Sequence, residues 1–364
     1  MRIKNERKIQ FVVLSICFVL FGALLIFAHF SRPDSIDQAG LYYERGRVVD
    51  VGAEPTADWY ELWLVEILSG EFQGRVAEAQ VNLFDSRLPS ISNSDRVIVE
   101  IAEQGIRISA PDRGMAHFFL TALFLILLGV IGGKRGLLSI GGLLFSLISI
   151  LFILVPLTLA GYPTILIALI VGILIIITTI TLLAGVNAKS ISAIAGCISG
   201  VLIAALFAFI IGEFAFISGY HIGEAGFLRG INPELRLSGI FISGVIIAAT
   251  GAISDTSMTI ASAMEEVKSA NPTISMKDLA KAGFNVGRDA MGTMSNTLIL
   301  AFVGSSFGLI LLLTSRNVSW TEFINDHEIG IEIIQGIAGS IGIVLTVPIT
   351  TFIAAKFFSS SAEE

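Results

Sequence analysis

SGIFISGVIIAATGAISDTSMTIASAMEE, from Ser238 to Glu266, and VGRDAMGTMSNTLILAFVGSS, from Val286 to Ser306, decide how this chain is read. Both are apolar spans studded with small residues, and each carries carboxylate, hydroxyl or amide groups toward one end. Polar side chains are costly in lipid and usually face a bundle interior or a polar pathway. Spans that serve only as anchors do not need them.

The rest of the chain fits that reading. Of 364 residues, 54% are hydrophobic and only 15% charged, and the mean hydropathy is +0.82. A soluble domain carries about 25% charged residues, so the composition indicates a polytopic α-helical membrane protein. Cys17 and Cys197 both lie in apolar runs and read as small hydrophobes, not as a disulfide. No Cys or His cluster suggests a metal, and no cofactor motif is present. The net charge of −7 sits mostly outside the apolar runs. No basic stripe with interleaved aromatics occurs, which excludes nucleic acid as a partner.

Working outward, residues 1–30 are a basic start (Arg2, Lys4, Arg7, Lys8) followed by an apolar run from Phe11 to Phe30, read as an uncleaved first transmembrane helix. Residues 31–113 change character. Period-two alternation runs through 46–51, 60–67, 74–81, 95–101 and 106–108, with turn residues between, and predicts about five short strands in a small barrel or sandwich. This segment holds 8 basic and 15 acidic residues and no catalytic constellation, so it reads as a partner-binding or regulatory domain. Residues 114–364 form a membrane domain with spans expected at 115–132, 137–159, 164–184, 191–214, 237–256, 292–314 and 330–355. With the first helix this makes eight. A connector near 257–291 contains the turn Asn271-Pro272 and a capped helix start at Ser275. A second connection, 215–236, carries Tyr220, His221, Glu224 and Arg229 and reads as an outer surface loop.

Charge orients the spans. With the N-terminus inside, the inner segments hold twelve Lys and Arg and the short outer loops only Arg229, Arg236 and Arg316. The positive-inside rule then places both termini in the cytoplasm and residues 31–113 outside it.

Asp255 closes the sixth span, with Gly251 one turn back and Thr259 one turn on. An acid at that depth can titrate or bind a cation. It reads equally as a solvated helix-end carboxylate or a structural partner of Arg288. In the seventh span, Arg288 and Asp289 precede Thr293, Asn296 and Thr297, whose i, i+3, i+4 spacing gives one face two hydroxyls and an amide. That face can line an ion or proton route, or simply hydrogen-bond to a neighbouring helix. Asp255, Arg288, Thr293, Asn296 and Thr297 are therefore the candidate ion or proton site, with Asp289 and Thr259 secondary. An aspartyl intramembrane protease needs a Gly-x-Gly-Asp element, which Gly251-Ala-Ile-Ser-Asp255 does not match. No P-loop or H-E-x-x-H occurs, so no enzymatic activity is expected.

Residues 131–136 (IGGKRG), 185–189 (GVNAK), 251–263 (GAISDTSMTIASA) and 287–301 (GRDAMGTMSNTLILA) resemble the YibE/F-like bacterial membrane proteins over about residues 115–355. The resemblance implies a multi-pass protein of the bacterial cytoplasmic membrane and carries no assigned activity with it. A second likeness, Arg288-x-x-x-x-Thr293-x-x-x-Thr297 after an Asp-bearing span, is similar to the membrane half of SecF-type and RND-type proteins, which implies coupling to proton flow. Two functions remain open from the sequence. One is a secondary-transport or ion-coupled component; the other is a non-transporting assembly protein whose outer β domain binds a partner. The lipid bilayer, a protein at that outer domain and further copies of the chain are the partners this architecture admits.

Overall fold

A computed structural model describes residues 2–31, 42–52, 60–82, 91–102, 105–217, 228, 230 and 237–360. Tyr220, His221, Glu224, Arg229 and Arg236 lie outside them. The chain divides into two compact units, Asp34–Ile131 and Met1–Pro33 with Gly132–Glu364.

Alternation builds the first unit. In β1 (Tyr42–Asp50), β2 (Tyr60–Ile67), β3 (Val76–Asn82), β4 (Arg96–Ala102) and β5 (Gly105–Pro111), side chains at every second position point inward. Val48, Val65, Ile67, Ala79, Val97 and Val99 are buried, and Trp63 packs among them with its indole N–H donated to Glu61 Oε2 at 2.8 Å. The strands close in the order β1-β2-β3-β5-β4, β4 pairing back onto β1. All neighbours are antiparallel except β3 and β5. Of the two expected forms this is the barrel, a five-stranded Greek key of the kind found in OB folds.

Helices build the second unit, and among the described residues six helices are long and apolar enough to cross a membrane, or seven if one bent pair counts as a single span. α1 is Arg2–Phe30 and α2 Gly114–Ser149, continued by a π-helical turn, Ile150–Leu154, and by α3 (Val155–Leu159). The spans expected at 115–132 and 137–159 fall on either side of a kink in this run. Its backbone leaves helical geometry only at Gly133, where φ is 54° and ψ −132°, values a side-chain-bearing residue rarely adopts. Pro156 accounts for the π turn. It has no N–H for the carbonyl four residues back, and the Val155 N–H reaches instead to Ile150 O.

α4 (Thr164–Ala184) occupies its expected residues, and α5 (Ala188–Phe214) begins under an Asn187 cap whose side chain accepts the Ser190 N–H. α6 (Leu237–Ala270) and α7 (Met276–Ser305) run on well past the spans expected for them, leaving only residues 271–275 as their connection. Ser275 caps α7, its Oγ accepting the Asp278 N–H at 3.1 Å. At Ser306 the chain bends by 57° into α8 (Phe307–Ser315). α9 (Trp320–Asn325) and α10 (His327–Ser360) complete it.

Glycine and hydroxyl faces set the packing of α5, α6, α7 and α10. A methyl group at Gly196 would collide with Thr350 Oγ1, and one at Gly200 with Thr346 Oγ1. Lipid is as apolar as leucine, so helices associate here through close backbone approach and cross-helix hydrogen bonds. Thr346 Oγ1 donates to Gly196 O at 3.3 Å, and Thr350 Oγ1 to Ser257 Oγ at 3.3 Å. Lys189 Nζ donates to Glu265 Oε2 at 2.7 Å between α5 and α6. On the other side α1 lies against α4, with Gln10 Nε2 donating to Thr181 O at 3.1 Å.

Candidate functional site

α6 holds Asp255 eighteen residues after Leu237, about 27 Å along the axis and so close to one hydrocarbon thickness. The carboxylate lines a cavity of about 320 Å³ between α6, α4 and the junction of α2 with the π turn. Thr250, Gly251 and Ser254 come to it from α6, Gly172 and Thr179 from α4, and Ser146 and Ile150 from the α2 end. The remaining wall is aliphatic. Asp255 makes no hydrogen bond or ion pair with another described residue.

Three of the four hydroxyls that line it are committed in one direction. Thr250 Oγ1 donates to Ile246 O at 2.6 Å, Thr179 Oγ1 to Ile175 O at 2.7 Å and Ser146 Oγ to Gly142 O at 2.9 Å. Each spends its one hydrogen on its own helix, and only oxygen lone pairs remain to serve the cavity. A carboxylate beside three such acceptor oxygens suits a proton, a hydronium ion or a monovalent cation and disfavours an anion. Ser254 Oγ in turn accepts a weak bond from Cys197 Sγ of α5 at 3.6 Å. Among the described residues no group of three His, Cys, Asp or Glu could hold a metal.

The structure divides the sequence candidates instead of assembling them. Gly251, one turn before Asp255, lines the cavity; Thr259, one turn after, does not. None of the α7 candidates reaches it. Arg288 lies over the Phe284 ring at 5.0 Å and lines a different cleft. Asp289, Thr293, Asn296 and Thr297 form an exposed stripe on α7. Thr293 Oγ1 donates to Ala290 O at 3.0 Å and Thr297 Oγ1 to Thr293 O at 2.9 Å, both within their own helix. Helical periodicity correctly groups these three residues on one face, but that face is not the one opposite Asp255. Ser146, Thr179, Thr250 and the π turn were not singled out from sequence. The hydroxyl run Thr178-Thr179-Ile180-Thr181 inside an otherwise aliphatic helix, and Pro156 six residues after Ile150, were the available signals.

Several long apolar helices beside a small barrel define a multi-pass integral membrane protein. Its membrane portion matches the YibE/F-like protein family over residues 120–360, and the chain belongs to that family. No curated protein and no solved structure matches it. The likeness to SecF-type and RND-type proteins finds no counterpart in these comparisons.

Proposed function

We propose that this YibE/F-like protein is an ion-coupled or secondary-transport component in which Asp255 takes up and releases a proton or a monovalent cation. The observation that carries the reading is the cavity: one carboxylate beside three hydroxyls whose hydrogens are already spent on their own helices. Arg288, Thr293, Asn296 and Thr297 are left out of that immediate site. An eight-span topology accompanies the reading. Gly114–Leu159 is 46 residues long, about 69 Å as helix and more than twice the hydrocarbon thickness. Two crossings there, with α7 and α8 as one broken span, give eight. The distribution of Lys and Arg then favours cytoplasmic termini in a bacterial cytoplasmic membrane, with residues 31–113 outside.

The test is ion movement in proteoliposomes carrying an internal pH-sensitive dye, with wild type beside Asp255→Asn. The expected result is a flux under an imposed gradient that disappears in a folded Asn variant. An Asn variant that moves ions as the wild type does removes the proposal. The second reading, an assembly protein that binds a partner through its barrel, is favoured by the exposed Asp289–Thr297 stripe of α7, a polar face that lipid does not satisfy. It predicts that deleting residues 34–110 abolishes function while Asp255→Asn is tolerated.

A further inference from the structure

The cleft that Arg288 lines is separate from the Asp255 cavity and has a chemistry of its own. It measures about 720 Å³ and lies between α7 and α10. Lys277, Lys281 and Arg288 line it from α7; at 100° per residue they fall within about 40° of one another on the helix. Pro348, Thr351 and Phe352 line it from α10. No carboxylate pairs with the three cations among the described residues. The single acid in the cleft, Asp278, is engaged elsewhere: its Oδ2 accepts the Ser275 hydroxyl at 2.6 Å as part of the α7 cap.

Three like charges on one stripe repel each other, and lysines four residues apart destabilise a helix unless a counter-charge is near. The Arg288 guanidinium, which lies 5.0 Å from the Phe284 ring centroid beneath it, is kept in the cleft by that contact. A second observation is independent of charge. Thr351 is 4% exposed, and its Oγ1 is buried with no hydrogen-bond partner. Thr250 and Thr179 donate to carbonyls of their own helix, whereas the Thr351 hydroxyl, like those of Thr158, Thr178 and Thr181, keeps its hydrogen unspent; of these four only Thr351 lines the cleft. Phe352, beside it, is 64% exposed and offers an apolar continuation of the cleft.

We propose that this α7–α10 cleft binds a phosphate-bearing anion, with Lys277, Lys281 and Arg288 supplying the charge and Thr351 one neutral donor. Phosphate oxygens accept from all four groups, and Arg is suited to them by its planar fork of donors. The phosphate can come from a phospholipid headgroup, whose chains would run along Phe352, or from a soluble phosphate. Basic pockets between helices at a membrane surface bind such headgroups.

The experiment uses the full-length protein in detergent and reads binding of phosphatidylglycerol, phosphatidylcholine and inorganic phosphate by native mass spectrometry and thermal shift. Phosphatidylglycerol is expected to bind and stabilise. Each cation contributes about fivefold, so Lys277→Gln/Lys281→Gln/Arg288→Gln should weaken binding on the order of a hundredfold, while Lys277→Arg/Lys281→Arg keeps it. Thr351→Val, which leaves the charge intact, should weaken it severalfold. Inorganic phosphate that displaces phosphatidylglycerol and is lost in the triple variant assigns the site to soluble phosphate; lipid binding unaffected by inorganic phosphate assigns it to the headgroup. Equal binding of phosphatidylglycerol to wild type and triple variant, or an effect of charge with none from Thr351→Val, overturns the proposal.

Discussion

Gly200→Ala isolates what close packing contributes to this membrane unit. A Cβ on Gly200 would collide with Thr346 Oγ1 and stand 2.9 Å from Ile253 Cγ2 and 3.1 Å from the Gly342 carbonyl oxygen. The contacts lie on two helices, α6 and α10, and one of them is backbone, so no single rotamer change relieves all three. Overpacking a filled core costs 1–3 kcal/mol, and this geometry places the substitution near the top, at about 3 kcal/mol. Thr346→Ala alone removes the 3.3 Å bond to Gly196 O, a loss of about 0.6 kcal/mol for an average interhelical hydrogen bond. Joining the two deletes the worst contact and should recover roughly half of the cost of Gly200→Ala. Equilibrium unfolding in mixed micelles of increasing SDS fraction, followed by far-UV circular dichroism, measures all four corners of the cycle. Gly200→Ala as stable as wild type, or a double variant no better than Gly200→Ala, would refute the account of the core as helices packed closely through glycine and hydroxyl faces.

Other outcomes follow from other parts of the molecule. Gly251 has no atom within 4 Å of where its Cβ would be and lines the Asp255 cavity, so Gly251→Leu should fold normally and block whatever ion movement wild-type proteoliposomes show. Ser275→Ala removes the α7 cap and should cost about 1 kcal/mol in the same SDS titration. Lys189 and Glu265 are both partly sheltered, so Lys189→Glu should destabilise and Lys189→Glu/Glu265→Lys should restore much of the loss. In the barrel, partial burial and then the Glu100 carboxylate, which accepts the Tyr43 hydroxyl at 3.3 Å, hold the Tyr43 phenol above its usual pKa. The neutral phenol is the favoured form, so this contribution to stability is complete below the unfolded tyrosine pKa of about 10 and fades as pH rises through the folded value. Glu100→Gln should bring the Tyr43 titration, read by tyrosinate absorbance, back toward the ordinary range.

The strands and the helix cores were legible because each rests on a local period. Alternation located all five strands to within a few residues, and α4 carries no charge that could blur its ends. The start of α6 and the Ser275 cap of α7 fall where the sequence puts them, but the continuation of α6 past 256, and of the Ser275 helix into the next span, was not read, for a physical reason. Glu265, Glu266 and Lys268 end an apolar span but not a helix, and no breaker occurs before Asn271-Pro272. The site was half legible. An acid at the end of a small-residue span stands out, but which neighbour it faces is set by packing among helices far apart in sequence. None of the α7 candidates lines its cavity, whereas Thr179 and Gly172, some eighty residues upstream, do. Gly133 shows the same limit: its positive φ cannot be read from the GlyGly pair that contains it.

The barrel closes on an uneven ring. β2 and β3 are registered over seven residue pairs, whereas β3 and β5, the parallel pair, share only Ala79 with Ile106 and Gln80 with Arg107. In mechanical terms this unit is a five-strand antiparallel ribbon, β3-β2-β1-β4-β5, with a short clasp. Opening the clasp breaks fewer backbone pairings than opening any other seam of the ring, so the barrel's least costly local opening lies here. Amide protons flanking Ala79 and Ile106 would then exchange with solvent ahead of those in the β1–β2 and β1–β4 ladders, and the same seam gives the closed ring a point at which an incoming strand could be admitted.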